Sequence, residues 1–178
     1  MKTKLILLFA ISIISIKLYS QNLKVGDKAP DIVQNLITGE EFQLSELSGK
    51  MILIDFWASW CKPCRKENPN IVAIYHEYKD QNFKNGKGFT VLGVSLDFKK
   101  VAWENAIKAD QLDWPYHIGD LKGWKNSVAQ SYSIRSIPSS YLIDGDGIIV
   151  GINLRGSDLE SKLKKQLKKK SFFSFKNE

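Results

Sequence analysis

Cysteine and histidine are scarce in this chain: 178 residues hold two of each. A structural zinc site needs four soft ligands, and His76 and His117 lie far apart with no second cysteine pair to join them, so no metal is expected. Two cysteines also cannot build the multi-bridge framework that staples small secreted domains. The sequence shows no internal repeat and no low-complexity segment, and its length fits one domain with room for a sizeable core. Long apolar runs are missing too. The longest, Leu5 to Ile16, is interrupted by Lys17 and falls short of the roughly 20 residues that span a bilayer.

That run has a different reading. Lys2 and Lys4 precede it and small Ser20 follows it, which is the layout of a secretory signal peptide cleaved before Gln21. Residues 1–20 are therefore expected to leave, with an uncleaved membrane anchor as the alternative. The domain is expected over residues 21–170, followed by a flexible tail over 171–178. The protein is expected outside the cytoplasm, in the periplasm or cell envelope.

The formal charge of +7 is concentrated at the two ends. Lys2, Lys4 and Lys17 lie in the leader; Lys162, Lys164, Lys165, Lys168, Lys169, Lys170 and Lys176 lie in the last seventeen residues beside one acid, Glu178. Removing these from 26 basic and 19 acidic residues leaves 16 against 18 between Gln21 and Ser161, a net of −2. No basic and aromatic constellation supports nucleic-acid binding. The lysine-rich terminal helix reads as a solvated face, with weak contact to an anionic membrane surface as its other use.

What the chain does hold is Cys61-Lys62-Pro63-Cys64, its only two cysteines, three residues apart. A bridge closing so short a loop removes little chain entropy, so it is a poor staple. It can open and close, which is redox chemistry. Met51 to Phe56 reads as a buried strand and Arg65 to Tyr78 as a helix, placing Cys61 just outside the helix and Cys64 in its first turn. Unpaired N–H groups and the helix dipole favour a thiolate there, and Lys62 and Arg65 add positive charge. Cys61, nearer solvent, is expected to attack and Cys64 to resolve. Pro63 pre-sets the backbone at the helix start, and Pro69 is expected to kink the helix. Asp55, the one charge in the apolar strand, is either a buried acid with a raised pKa that accepts the Cys64 proton or a strand-end acid facing water.

The remaining elements follow from pattern. A β-hairpin is expected between Val25 and Lys50, and a polar loop over Asn82 to Gly88. A strand is expected at Phe89–Leu96, and helices at Val101–Ala109, Leu121–Tyr132 and Leu159–Leu167. A hairpin pairs Tyr141–Ile143 with Ile148–Leu154 across Asp144-Gly145-Asp146-Gly147. Strands alternating with helices, then a hairpin and a helix, give an α/β fold with a mixed sheet covered on both faces.

These residues resemble a known family. Trp60-Cys61-Lys62-Pro63-Cys64 after an apolar strand, with Ala29-Pro30-Asp31, Val94-Ser95-Leu96-Asp97 and Ser136-Ile137-Pro138-Ser139 in this order, is similar to the thioredoxin fold and its exported TlpA-like branch. The resemblance implies a thioredoxin-like central mixed β-sheet flanked by helices, with an N-terminal β-hairpin extension. It implies a cis peptide at Ile137-Pro138, whose backbone beside Cys61 receives an extended substrate, and a proton-relay role for Asp55. In thioredoxin a lysine stands near this acid; the matching position here is Gly93, so Asp55 is expected without that counter-charge. Trp60 and Trp57 shelter the thiols and form an apolar platform, with Trp60 expected to contact substrate beside Ile137 and Pro138, or Trp57 is core. Glu67 either pairs with a surface cation or shares in catalysis. Tyr75 and His76 are too far along the helix for chemistry.

The function so implied is an exported thiol–disulfide oxidoreductase working through Cys61 and Cys64 as a reductant of partner-protein disulfides, with no cofactor beyond that disulfide. Disulfide-containing exported proteins are its expected substrates and a membrane thiol donor its expected electron source. Lys62 and Pro63, between the cysteines, tune the potential, the cation of Lys62 moving it upward. Two alternatives stand. Ala29-Pro30-Asp31 also resembles peroxiredoxins, although Ala58 occupies the position three before Cys61 where those carry Thr or Ser. A non-enzymatic binding module on the same fold is the other.

Overall fold

A computed structural model describes residues 23–169. The expected leader over 1–20 and tail over 171–178 lie outside the described residues. In chain order the elements are β1 (Val33–Asn35), β2 (Glu41–Gln43), β3 (Met51–Trp57), α1 (Lys62–Tyr78), β4 (Asn82–Phe83) and β5 (Gly86–Lys87). They continue with β6 (Phe89–Ser95), α2 (Lys100–Ala109), β7 (Tyr116–Ile118), α3 (Ser127–Ser131), β8 (Ser139–Ile143), β9 (Ile149–Ile152) and α4 (Gly156–Gln166).

The main sheet has the order β7-β6-β3-β8-β9. β3 and β6 are its central pair, parallel and buried at all seven positions of each. Continuous apolar runs such as Met-Ile-Leu-Ile and Val-Leu-Gly-Val belong where both faces of a strand are covered. β8 pairs antiparallel with β3, and β9 antiparallel with β8, so the sheet is mixed as expected. Its two faces can be told apart. Leu53 and Asp55 look toward Cys64 and Ile71 of α1. Phe56 looks the other way, onto Tyr132 and Tyr141, with ring centroids 5.6 and 6.4 Å away. The hairpin of β1 and β2 is present and meets the β7 edge through a bridge between Leu36 and Ile118.

Three expectations need correction. The segment from Asn82 to Gly88 is not a plain loop; β4 and β5 form a small antiparallel ladder, and Phe83 also bridges to Leu167. Tyr116–Ile118, unassigned from sequence, is a three-residue edge strand. The helix expected over Leu121 to Tyr132 is broken. Leu121 and Gly123 take positive φ, 59° and 57°, and Gly123–Lys125 is a single 3₁₀ turn. A Cβ on Gly123 would come within 2.1 Å of the Phe98 ring, so only glycine admits that close approach. Helix resumes at α3, where Asn126 Oδ1 accepts from the Ala129 N–H at 3.0 Å. The α1 helix continues through Pro69 without a break.

Candidate active site

β3 ends at Trp57, and four residues later the chain enters α1 with Cys61 as its N-cap. Cys61 and Cys64 form a disulfide with sulfurs 2.03 Å apart. The Cys64 N–H points at Cys61 Sγ from 3.2 Å, so one of the free donors of the first helical turn is aimed at this sulfur. In the dithiol state the same N–H and the dipole behind it face a Cys61 thiolate and stabilise it.

Both cysteines are buried, Cys61 4 % and Cys64 2 % exposed, so Cys61 is barely nearer solvent by area. Their surroundings divide them instead. Cys61 lines an open groove of about 470 Å³ with Trp60, Lys62, Trp124, Arg135 and Ile137. Cys64 lines a narrow cleft of about 10 Å³ on the inner side, with Asp55, Glu67, Pro138 and Arg155. That volume is the size of one water. Ile137 and Pro138, joined by a cis peptide, therefore face the groove and the cleft respectively. Pro63 and Lys62 are exposed on the groove.

Asp55 is buried, 6 % exposed, and does not face water. Its pKa is raised to about 7, chiefly by loss of hydration, with a contribution from Glu67, while Arg155 pulls it down. The register sets Asp55 opposite Gly93, so no side chain from β6 supplies a counter-charge. A cation does act on it, Arg155, which lines the same cleft from the β8–β9 side of β3. Arg155 follows β9 and also donates from Nη2 to the Pro138 carbonyl. Nothing in the local sequence announced Arg155; its role depends on β8 and β9 folding beside β3.

Glu67 is held by the backbone rather than by a surface cation. Its Oε1 accepts from Gly156 N–H at 2.7 Å and its Oε2 from Asn70 Nδ2 at 3.0 Å. Trp57 is core, 1 % exposed. His76 pairs with Asp113 at 3.1 Å, away from the cysteines.

A second network, not assigned from sequence, pins the turn before Cys61. Asp97, 1 % exposed, accepts from Ser59 N–H at 3.0 Å, Ser59 Oγ at 2.5 Å and Ser95 Oγ at 2.8 Å. Arg65 donates to the Ser59 carbonyl at 3.3 Å and holds Asp110 through Nε and Nη2, the latter at 2.6 Å. Trp124, inside the segment expected to be helical, stands beside Trp60 with ring centroids 6.2 Å apart. Among the described residues no group of three or more His, Cys, Asp or Glu is placed to hold a metal ion.

On a thioredoxin-like sheet, a dithiol–disulfide pair capping a helix beside a cis-proline defines a thiol–disulfide oxidoreductase. The chain belongs to the AhpC/TSA family, which it matches over residues 25–152. Among its relatives is a thiol-disulfide oxidoreductase ResA of Bacillus cereus, 34% identical over 130 residues that cover 73% of this chain and 69% of the relative. Another is the thioredoxin-like protein YneN of Bacillus subtilis, 31% identical over 145 residues, 79% of each. Among solved structures, a thiol:disulfide interchange protein from a Bacteroides species superposes with a TM-score of 0.73 at 34% identity, covering 85% of this chain and 95% of that one. A thiol-disulfide oxidoreductase from Bacteroides fragilis gives 0.69 at 35% identity, covering 78% and 98%. This protein is accordingly a thiol–disulfide oxidoreductase of TlpA-like type, and disulfide-bearing proteins are its substrate class.

Proposed function

We propose that the protein reduces disulfides of partner proteins outside the cytoplasm. The observation that carries this reading is the division of the pair, Cys61 on the open groove and Cys64 on the closed cleft with Asp55. The Cys61 thiolate attacks one sulfur of the substrate disulfide; that S–S bond breaks, a mixed disulfide forms, and the first substrate sulfur leaves as a thiolate that takes a proton from water. Cys64 then gives its proton to Asp55 and attacks Cys61 Sγ. The Cys61–Cys64 bond forms and the second substrate sulfur leaves. Two electrons pass to the substrate, and the proton on Asp55 follows to solvent. Ring closure makes the second step intramolecular, which favours release over a trapped adduct.

A raised pKa suits Asp55 to this task, because a proton acceptor works best when its pKa lies near the operating pH. A membrane-bound dithiol donor returns the pair to its reduced form by the reverse exchange. Support for export comes from the basic start, apolar run and Ser20 of the first twenty residues. Among the described residues, no helix is long and apolar enough to cross a membrane. The outward lysines of α4, with Leu159 and Leu163 buried beneath, supply a weak contact to an anionic surface. Reduction of insulin by the dithiol form tests the reading. Turnover that is lost in Cys61→Ser supports it; faster turnover of hydrogen peroxide than of insulin contradicts it.

A further inference from the structure

Few large apolar side chains stay exposed among the described residues, and they are not scattered. Five of the seven, Trp60, Phe98, Val101, Leu121 and Trp124, lie beyond the C-terminal ends of β3, β6 and β7. Those three strands are parallel, so their C-terminal ends share one edge of the sheet, the edge that carries Cys61. The side chains also connect. Trp60 stands beside Trp124, and the ring of Phe98 packs on the backbone of Gly123, the residue before Trp124. An apolar strip thus runs from Cys61 outward, with Trp60 47 %, Trp124 44 % and Phe98 60 % exposed.

The same edge is basic. Lys62 and Arg135 line the groove, and Lys99, Lys122 and Lys125 lie on the segments that carry Phe98 and Trp124. All five are exposed, and none forms an ion pair among the described residues. The acids of these segments are already engaged. Asp97 is buried against Ser59 and Ser95, and Asp120 accepts from Lys122 N–H and Asn126 Nδ2, both at 3.0 Å. Between Gln21 and Ser161 acids outnumber bases by two, so this excess of cations is local.

We propose that this edge docks an extended, acidic segment of a partner protein that carries an aromatic residue beside its disulfide; the proposal rests on the oxidoreductase reading above and specifies its substrate. The rings of Trp60, Trp124 and Phe98 offer an aromatic side chain a platform that desolvates well. The surrounding cations steer carboxylates to it and penalise basic partners. Ile137 lies on the same groove, where an extended chain adds main-chain hydrogen bonds. An apolar strip ringed by lysines also suits an anionic bilayer, but the strip borders a groove that ends on Cys61, and a disulfide must enter that groove to react.

Two disulfide peptides of equal length test this, one flanked by Asp, Glu and Trp, the other by Lys and Ser. The acidic aromatic peptide is expected to be reduced with a kcat/KM about ten-fold higher or more at low salt, converging on its basic counterpart near 1 M salt. Trp124→Ala and the double variant Lys122→Glu, Lys125→Glu are each expected to lower the ratio of the two rates by about three-fold or more. Versions of both peptides with serine for cysteine report the same ranking as Kd for the oxidised protein, independently of turnover. Equal Kd values, or a ratio unmoved by both variants, overturn the docking proposal. Equal Kd values together with tight binding to vesicles of anionic phospholipid assign the edge to a membrane surface instead. A clear Kd ranking without turnover of either peptide or of insulin upholds the docking surface and contradicts the oxidoreductase reading.

Discussion

Cys64 and Asp55 share a cleft the size of one water, and most of the residue-scale chemistry follows from that closeness. Replacing Cys64 by serine removes the resolving thiol while leaving the Cys61 attack intact. The expected outcome is a mixed disulfide that accumulates and is seen by mass spectrometry as protein plus substrate; its absence would mean that Cys61 is not the attacking sulfur. Asp55→Asn removes the proton acceptor. Resolution at pH 7 is expected to slow by on the order of 10², and the inflection near pH 7 in the single-turnover rate is expected to vanish. The neighbours of Asp55 should move that inflection in opposite directions. Arg155 lowers the Asp55 pKa, so Arg155→Met raises the inflection; Glu67 raises it, so Glu67→Gln lowers it. Shifts of one sign for both variants would contradict the assignment. Cys61 and Cys64 were legible in sequence because their chemistry depends on local spacing, and the cis bond before Pro138 was implied by the family resemblance alone. Arg155 was not legible, because its partners lie 17 residues away at Pro138 and across two strands at Asp55.

Elements that follow simple periodicity appear close to where the pattern puts them. β3, β6, α1 and α4 are each fixed by one buried face or by burial on both faces, and their ends moved by only a few residues. The segment from Leu121 to Tyr132 shows where periodicity fails. Its apolar spacing is helical, yet Gly123 and Asn126 are glycine and cap residues in mid-pattern, and both act as such. The break has a consequence for the site, since it turns Trp124 outward beside Trp60. Asn126 holds the break: it is fully buried, caps α3, and donates to Gln34 Oε1 at 3.1 Å and Asp120 Oδ1 at 3.0 Å. Asn126→Ala is expected to destabilise the fold by about 1–3 kcal/mol, measured by urea unfolding. An unchanged midpoint would show that the packing of Val128 and Ala129, not the cap, fixes this turn. Tyr116–Ile118 is not legible in the sequence because three residues carry no periodic signal; β6 beside it makes it a strand.

At the scale of the whole molecule two buried groups set opposing pH dependences. Asp55 has its folded pKa raised from 3.8 to about 7, so the native state holds a proton that the unfolded chain has released, and stability falls as pH rises through that window. The shift corresponds to on the order of 4 kcal/mol. His117 has its pKa lowered from 6.5 to about 4 by burial, so the unfolded chain binds the extra proton and stability falls as pH drops from 6.5 toward 4. The two slopes largely cancel between pH 4 and 6.5. Asp55→Asn should therefore expose the His117 term alone: stability that rises with pH over this range, and a variant more stable than wild type above pH 7. Urea midpoints across pH 4 to 8 check this, and parallel curves for the two proteins would refute the buried, uncharged state of Asp55. The class of fold and the reacting pair could be read from the chain because both rest on short segments. The groove's aromatic wall and the charge around Asp55 could not, since each is assembled from distant loops by the sheet. Direction of electron flow is the central claim, and the reduction potential of Cys61–Cys64 against the glutathione couple tests it most directly. A reductant with a membrane donor is expected at roughly −200 mV or more negative, toward or beyond the −270 mV of thioredoxin, whereas a value near −120 mV, that of a strong oxidant, would reverse the assignment.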